Sequence, residues 1–124
     1  MPDPAYRYAA QILACHDGDT CRADVDLGYG IWFRNQPYRL AGINARELAM
    51  PGGKEARDNL AAILRPGTAV TLTSVKPDKY ARYDAVIVLG DGTDLNRWLV
   101  EQGWAADWNG KGEAPLPPWP RGAQ

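Results

Sequence analysis

The sequence predicts an α+β fold, a five-stranded OB-type β-barrel with a helix between strands 3 and 4 and a second helix after strand 5. Three observations carry that expectation. Short apolar segments recur between Gly, Pro, Asn and Asp turns, and such runs read as strands. Two segments carry helical rather than strand signals. The resulting order of three strands, a helix, two strands and a helix suits a small closed or nearly closed barrel.

Residues 8–14 are mostly apolar and read as the first strand, and residues 21–26 (CRADVD) alternate as the second. Asp17-Gly18-Asp19-Thr20 between them is a turn by composition. Ile31-Trp32-Phe33 is β-prone, and Pro37 precedes a third strand expected at 38–43. Pro51-Gly52-Gly53 breaks the chain before a helix at 54–64, where Ala56, Leu60, Ile63 and Leu64 recur at i, i+4, i+7 and i+8. Pro66-Gly67 stops it. Strands follow at 69–75 and 83–89, joined by a polar link. A helix at 95–102 comes next, capped by Thr93 or Asp94 and closed by Gly103. The domain is expected to occupy 1–112, and residues 113–124, with four prolines, form an extended tail.

At 124 residues the chain has room for one core. Its 45% apolar and 23% charged composition is that of a soluble globular protein, with no apolar run long enough for a membrane span. The start of the sequence lacks the basic-then-apolar pattern of a secretory signal, so a cytoplasmic monomer is expected, a phage-encoded or processed secreted form being the alternative. A net charge of −1 gives no global nucleic-acid footprint. That counts against a passive DNA coat but not against an enzyme whose bound cation supplies positive charge. One histidine and no Cys-x-x-Cys argue against zinc. Cys15 and Cys21 read as packing thiols, and whether they pair depends on the hairpin register.

Four clusters carry chemistry: Asp17/Asp19 in the first turn, Arg39 on the third strand, residues 44–47 after it, and Lys79-Tyr80-Ala81-Arg82. Phosphodiester hydrolysis needs an activated water and charge stabilisation on the phosphate oxygens. Oxygen ligands hold a hard cation, guanidinium forks match phosphate, and a carboxylate takes a proton from water. Each cluster alone also reads as a turn, a solvated arginine or a charged link.

In order, however, DGDT, RLAGINARE, a GKEA-type helix, KYARY and LNRWLVEQGWA resemble the staphylococcal-nuclease (thermonuclease-like) family over roughly residues 8–111, the compact phage-type members above all. That resemblance implies an OB barrel and calcium-dependent cleavage of DNA and RNA to 3′-phosphate ends. It implies metal binding by Asp19, Asn44 and the backbone carbonyl of Ala45, with Ca²⁺ as the cofactor. Glu47 is then the residue that activates water, and Arg39 and Arg82 hold the scissile phosphate. Lys79, Trp108 and Lys111 are candidate substrate contacts, Trp108 as a surface on which a base stacks; fastening of the C-terminal segment by Trp104 and Trp108 is the alternative.

The segment Gly42-Ile43-Asn44-Ala45-Arg46-Glu47 departs from the family's usual pattern twice. Asn44 stands where an aspartate is usual, which removes a formal charge and weakens calcium affinity. Arg46 stands where a proline is usual, so the turn before Glu47 loses a fixed φ. A second function class follows from these departures, a nuclease-like nucleic-acid or protein binding module; a third, independent of them, is a structural scaffold using the barrel and tail.

Overall fold

The computed structural model describes residues 6–78 and 82–118. In chain order the elements are β1 (Arg7–Asp17), β2 (Thr20–Gly28), β3 (Ile31–Leu40), β4 (Ile43–Ala45), α1 (Gly53–Ile63), β5 (Ala69–Pro77), β6 (Tyr83–Val88), α2 (Leu95–Glu101) and β7 (Ala105–Asp107). Five strands close a barrel in the order β1-β2-β3-β6-β5, with β5 returning to pair β1. The alternation of strand side chains explains the closure. Ala10 and Ile12, Ala23 and Val25, Tyr38 and Leu40, Val70 and Leu72, and Ala85 and Ile87 are all buried in one core, while the residues between them face outward.

The strand pairs are antiparallel except at the β3–β6 seam, where three parallel pairs join Tyr38–Leu40 to β6. This short seam accounts for one difference from the expected strand boundaries. Pro37 lies inside β3, opposite Arg22 of β2, rather than in front of the strand. Because β6 pairs β3 only from Tyr38 onward, Pro37 sits where the second edge of β3 has no neighbour, a position that tolerates a missing N–H. Two further strands, β4 and β7, form a separate antiparallel pair and are too short to announce themselves by periodicity. The expected strand at 38–43 therefore divides, its last residue beginning β4.

The α1 stripe falls as its spacing predicts. Ala56, Leu60 and Leu64 are buried in the protein and Ile63 is half-buried. Asp94, not Thr93, caps α2, its side chain accepting the Arg97 N–H at 3.0 Å. The helix ends before Gly103 at φ +84°, a conformation glycine adopts without strain. Asn96 of α2 is buried and satisfied: its Oδ1 accepts the Ile87 N–H, and its Nδ2 donates to the carbonyls of Ala41 and Ala85. It thus ties α2 to both sides of the barrel seam.

Cys15 and Cys21 are not packing thiols. The β1–β2 register sets them opposite one another, and a disulfide joins them across the hairpin that carries the 17–20 turn. A cavity of about 790 Å³ is lined by Tyr8, Phe33, Tyr38 and Tyr83 among others. No candidate site residue among the described residues lines it. Among the described residues, no helix is long and apolar enough to cross a membrane.

Leu60 is fully buried where α1 packs on the barrel core. Truncation there leaves a cavity that neighbouring side chains fill only in part. Leu60→Ala is expected to lower unfolding free energy by about 2–5 kcal/mol, read from urea denaturation.

Candidate active site

The first turn is built into the interior rather than left on the surface. Gly18 packs so closely that a Cβ placed on it would lie 2.8 Å from the Cβ atoms of both Ala45 and Ala56. A glycine is therefore needed for the turn to sit against β4 and α1. The same approach carries Asp19 inward, leaving it only 7% exposed. Its Oδ2 accepts the Ala45 N–H at 2.9 Å, and its Oδ1 accepts the Thr20 hydroxyl at 3.2 Å. Its backbone carbonyl accepts the Leu40 N–H at 2.8 Å, so the turn is anchored to the ends of β3 and β4.

Arg39 projects from the end of β3 toward this carboxylate, with Nη2 3.6 Å from Asp19 Oδ2. The same nitrogen donates to the Ile43 carbonyl at 2.8 Å. The guanidinium also lies 5.2 Å from the centre of the Trp108 ring, within cation–π range. Trp108 is placed there by β7 and by its N–H bond to the Gly42 carbonyl. Its indole N–H donates to the Lys111 carbonyl at 3.0 Å, while the Lys111 N–H donates to the Asn109 side chain. The exposed Lys111 thus takes part in a backbone-closed turn beside Trp108.

Arg82 precedes β6, and its Nε donates to Asp78 Oδ2 at 2.6 Å. Asp84, the parallel-register partner of Arg39, links the two arginines. Its carboxyl is pushed up from the usual range, first by burial and then by a hydrogen bond and repulsion from Asp78. Arg39 and Arg82 both oppose that shift. Asp84 Oδ1 is buried and accepts no hydrogen bond among the described residues. Asp78 and Asp84 were not singled out from the sequence, and the signal available was an acid two residues after Arg82. Lys79 lies outside the described residues.

Asn44 and Ala45 lie on β4, Asn44 half-buried and Ala45 buried. Ala45 meets Asp19 through its N–H. The Asn44 amide donates to the Pro115 carbonyl at 3.0 Å, which leaves its Oδ1 as the oxygen available to a cation. Glu47 is exposed just beyond β4, in a turn whose carbonyl accepts the Met50 N–H. The structure brings Asp19, Arg39 and Trp108 into one cluster, with Asp84 and Arg82 adjoining through charge. Glu47 stands beside that cluster in sequence without a side-chain bond into it.

The fit to a hard cation rests on Asp17 and Asp19. Burial, then repulsion and a hydrogen bond from the Asp17 carboxyl, push the Asp19 carboxyl up to about 6 from 3.8, against the Ala45 N–H and Arg39. Two carboxyls forced together share a proton or a cation, and their all-oxygen donors suit calcium. Among the described residues no three His, Cys, Asp or Glu side chains gather as a metal cluster, so the Asn44 oxygen or a backbone carbonyl is needed to complete the donor set. Asp17, a member of the DGDT cluster, lies beside Asp19, its Oδ1 accepting the Asp19 N–H at 3.2 Å.

Linkage gives the stability consequence. Because the folded carboxyl binds its proton more tightly than the unfolded one, the contribution of Asp19 to the stability of the metal-free protein is lost as pH rises from about 3.8 through about 6. Asp19→Asn is expected to stabilise the metal-free protein at pH 7 by about 1–3 kcal/mol, with the difference vanishing near pH 4. Urea titrations in chelator at the two pH values check this, and a variant less stable than wild type at pH 7 contradicts it.

The sequence profile of the staphylococcal nuclease homologue family matches residues 37–114, more than half of the chain. No curated protein matches it.

Proposed function

Since the chain belongs to the staphylococcal nuclease homologue family, we propose that it is a calcium-dependent phosphodiesterase that cleaves DNA and RNA, leaving 3′-phosphate ends. The observation that carries this reading is the placement of Arg39, with only 12% of its side chain exposed, between the Asp19 carboxylate and the Trp108 ring. A guanidinium held by its surroundings loses little freedom when a phosphate arrives, and its planar fork bonds two oxygens at once.

Asp19, with Asp17, the Asn44 oxygen and the Ala45 carbonyl, would hold calcium, which supplies a local positive charge and polarises a phosphoryl oxygen. Glu47 accepts the proton of a water whose oxygen attacks phosphorus in line. Arg39 and Arg82 donate to the non-bridging oxygens as negative charge builds on them. The bond from phosphorus to the 5′-oxygen breaks, and that oxygen takes a proton, giving a 3′-phosphate and a 5′-hydroxyl. Trp108 offers a stacking surface beside Arg39, while Lys79 and Lys111 are further phosphate contacts in this reading. Asn44 supplies an oxygen without a charge, so calcium is held more weakly than by an aspartate there.

Plasmid DNA and RNA are expected to be degraded with calcium and left intact with chelator. Glu47→Ala and Arg39→Ala should each lower turnover at least ~10²-fold, with melting temperature showing that the variants fold. Near wild-type turnover by Glu47→Ala would overturn the mechanism. Tight nucleic-acid binding without cleavage under any divalent ion would instead assign the protein as a binding module.

A further inference from the structure

The C-terminal proline segment crosses the candidate site. The Asn44 amide donates to the Pro115 carbonyl at 3.0 Å, and Arg46 Nη2 donates to the Pro117 carbonyl at 2.8 Å. Arg46 Nη1 reaches the Pro51 carbonyl at 3.4 Å, so one guanidinium connects the segment to the chain entering α1. Pro117 is fully buried, although Pro115 and Leu116 before it and Pro118 after it are exposed. The contacts repeat every second residue on both sides, 44 and 46 against 115 and 117, as two extended chains side by side allow. The residues that grip this strap flank Ala45, and Arg46 immediately precedes Glu47.

We infer that the strap at 115–117 is a positioning element of the active site, acting through Asn44 and Arg46 on the orientation of the cation-binding oxygen and of Glu47. The inference rests on the nuclease reading above and extends it to residues that touch neither water nor phosphate. Arg46 stands immediately before Glu47, and its guanidinium ties this turn to the Pro117 carbonyl 71 residues away and to the Pro51 carbonyl. The bond to Pro115 likewise engages the nitrogen end of the Asn44 amide and leaves the oxygen end for the cation. Partners that orient a ligand typically account for about 10–100-fold in metal affinity or activity when removed.

Three variants test this in the full chain: Arg46→Met removes the donors but keeps the stem, Pro117→Asp expels the strap from its buried seat, and Arg46→Lys retains a donor. Turnover on single-stranded DNA is measured beside a calcium titration of tryptophan fluorescence without substrate. Arg46→Met and Pro117→Asp are expected each to lower kcat about 10-fold and to raise the calcium half-saturation about 3–10-fold, with KM within about twofold of wild type. Because both variants remove the Arg46–Pro117 bond, their combination should cost less than the product of the two separate losses, and Arg46→Lys should keep most of the turnover.

An active wild type whose kcat and calcium midpoint survive Pro117→Asp, with proteolysis showing the strap released, overturns the inference and spares the nuclease reading. Faster turnover on release also overturns it, since the strap would then obstruct the site. A wild type that neither cleaves nor binds calcium sinks the nuclease reading, and this inference with it.

Discussion

The site depends on the burial of one carboxylate. Asp19 joins the β1–β2 turn to the ends of β3 and β4 through its own backbone carbonyl and its side chain. An ionised group so placed is unfavourable unless its lone pairs are met by donors or a cation. The protein meets them in part, with the Ala45 N–H, the Thr20 hydroxyl and Arg39. It also adds the repulsion of Asp17. The outcome is a turn strongly organised in shape and incompletely neutralised in charge, the condition in which a hard cation contributes most. Gly18 makes the burial possible, because any side chain there would collide with Ala45 and Ala56.

From Asp19 the charges alternate across the β3–β6 edge: Arg39 faces Asp19 on one side and Asp84 on the other, and Asp78 joins Asp84 to Arg82. The overall charge of −1 hides this local alternation. The positive groups are few and each is braced by acids, so their effect is local and directional. Bracing limits the freedom these side chains would lose on binding a ligand. Trp108, brought in by a three-residue strand, completes the cluster from a different part of the chain.

What was legible in the sequence was what obeys local periodicity. Ala10 and Ile12, Val70 and Leu72, and the stripe of Ala56, Leu60 and Leu64 announced their elements because burial repeats at the strand or helix period. Arg39, Glu47, Asp19 and Arg82 stood out because their types and order match the nuclease family. What escaped is set by register and by long-range pairing. Cys15 opposite Cys21 follows from a bulged β1–β2 ladder. The pairing of β4 with β7 involves three residues on each strand. The grip of Arg46 on Pro117 spans 71 positions. Asp84 looked like one more strand acid until the parallel pairing set it beside Arg39.

Among the described residues the β3–β6 seam closes the barrel with three residue pairs, where the β1–β2 and β2–β3 ladders each run the length of a hairpin. Cooperative opening of a native protein starts where the fewest bonds must break together. Here such a breach would part Arg39 from Asp84 and withdraw Asn96 from the carbonyls of Ala41 and Ala85 that it spans. Leu40 and Ala85 of the seam are fully buried, so the same breach would reach the edge of the core. Amide exchange at Ala41, whose N–H bonds the Ala85 carbonyl across the seam, would then report this local opening ahead of global unfolding.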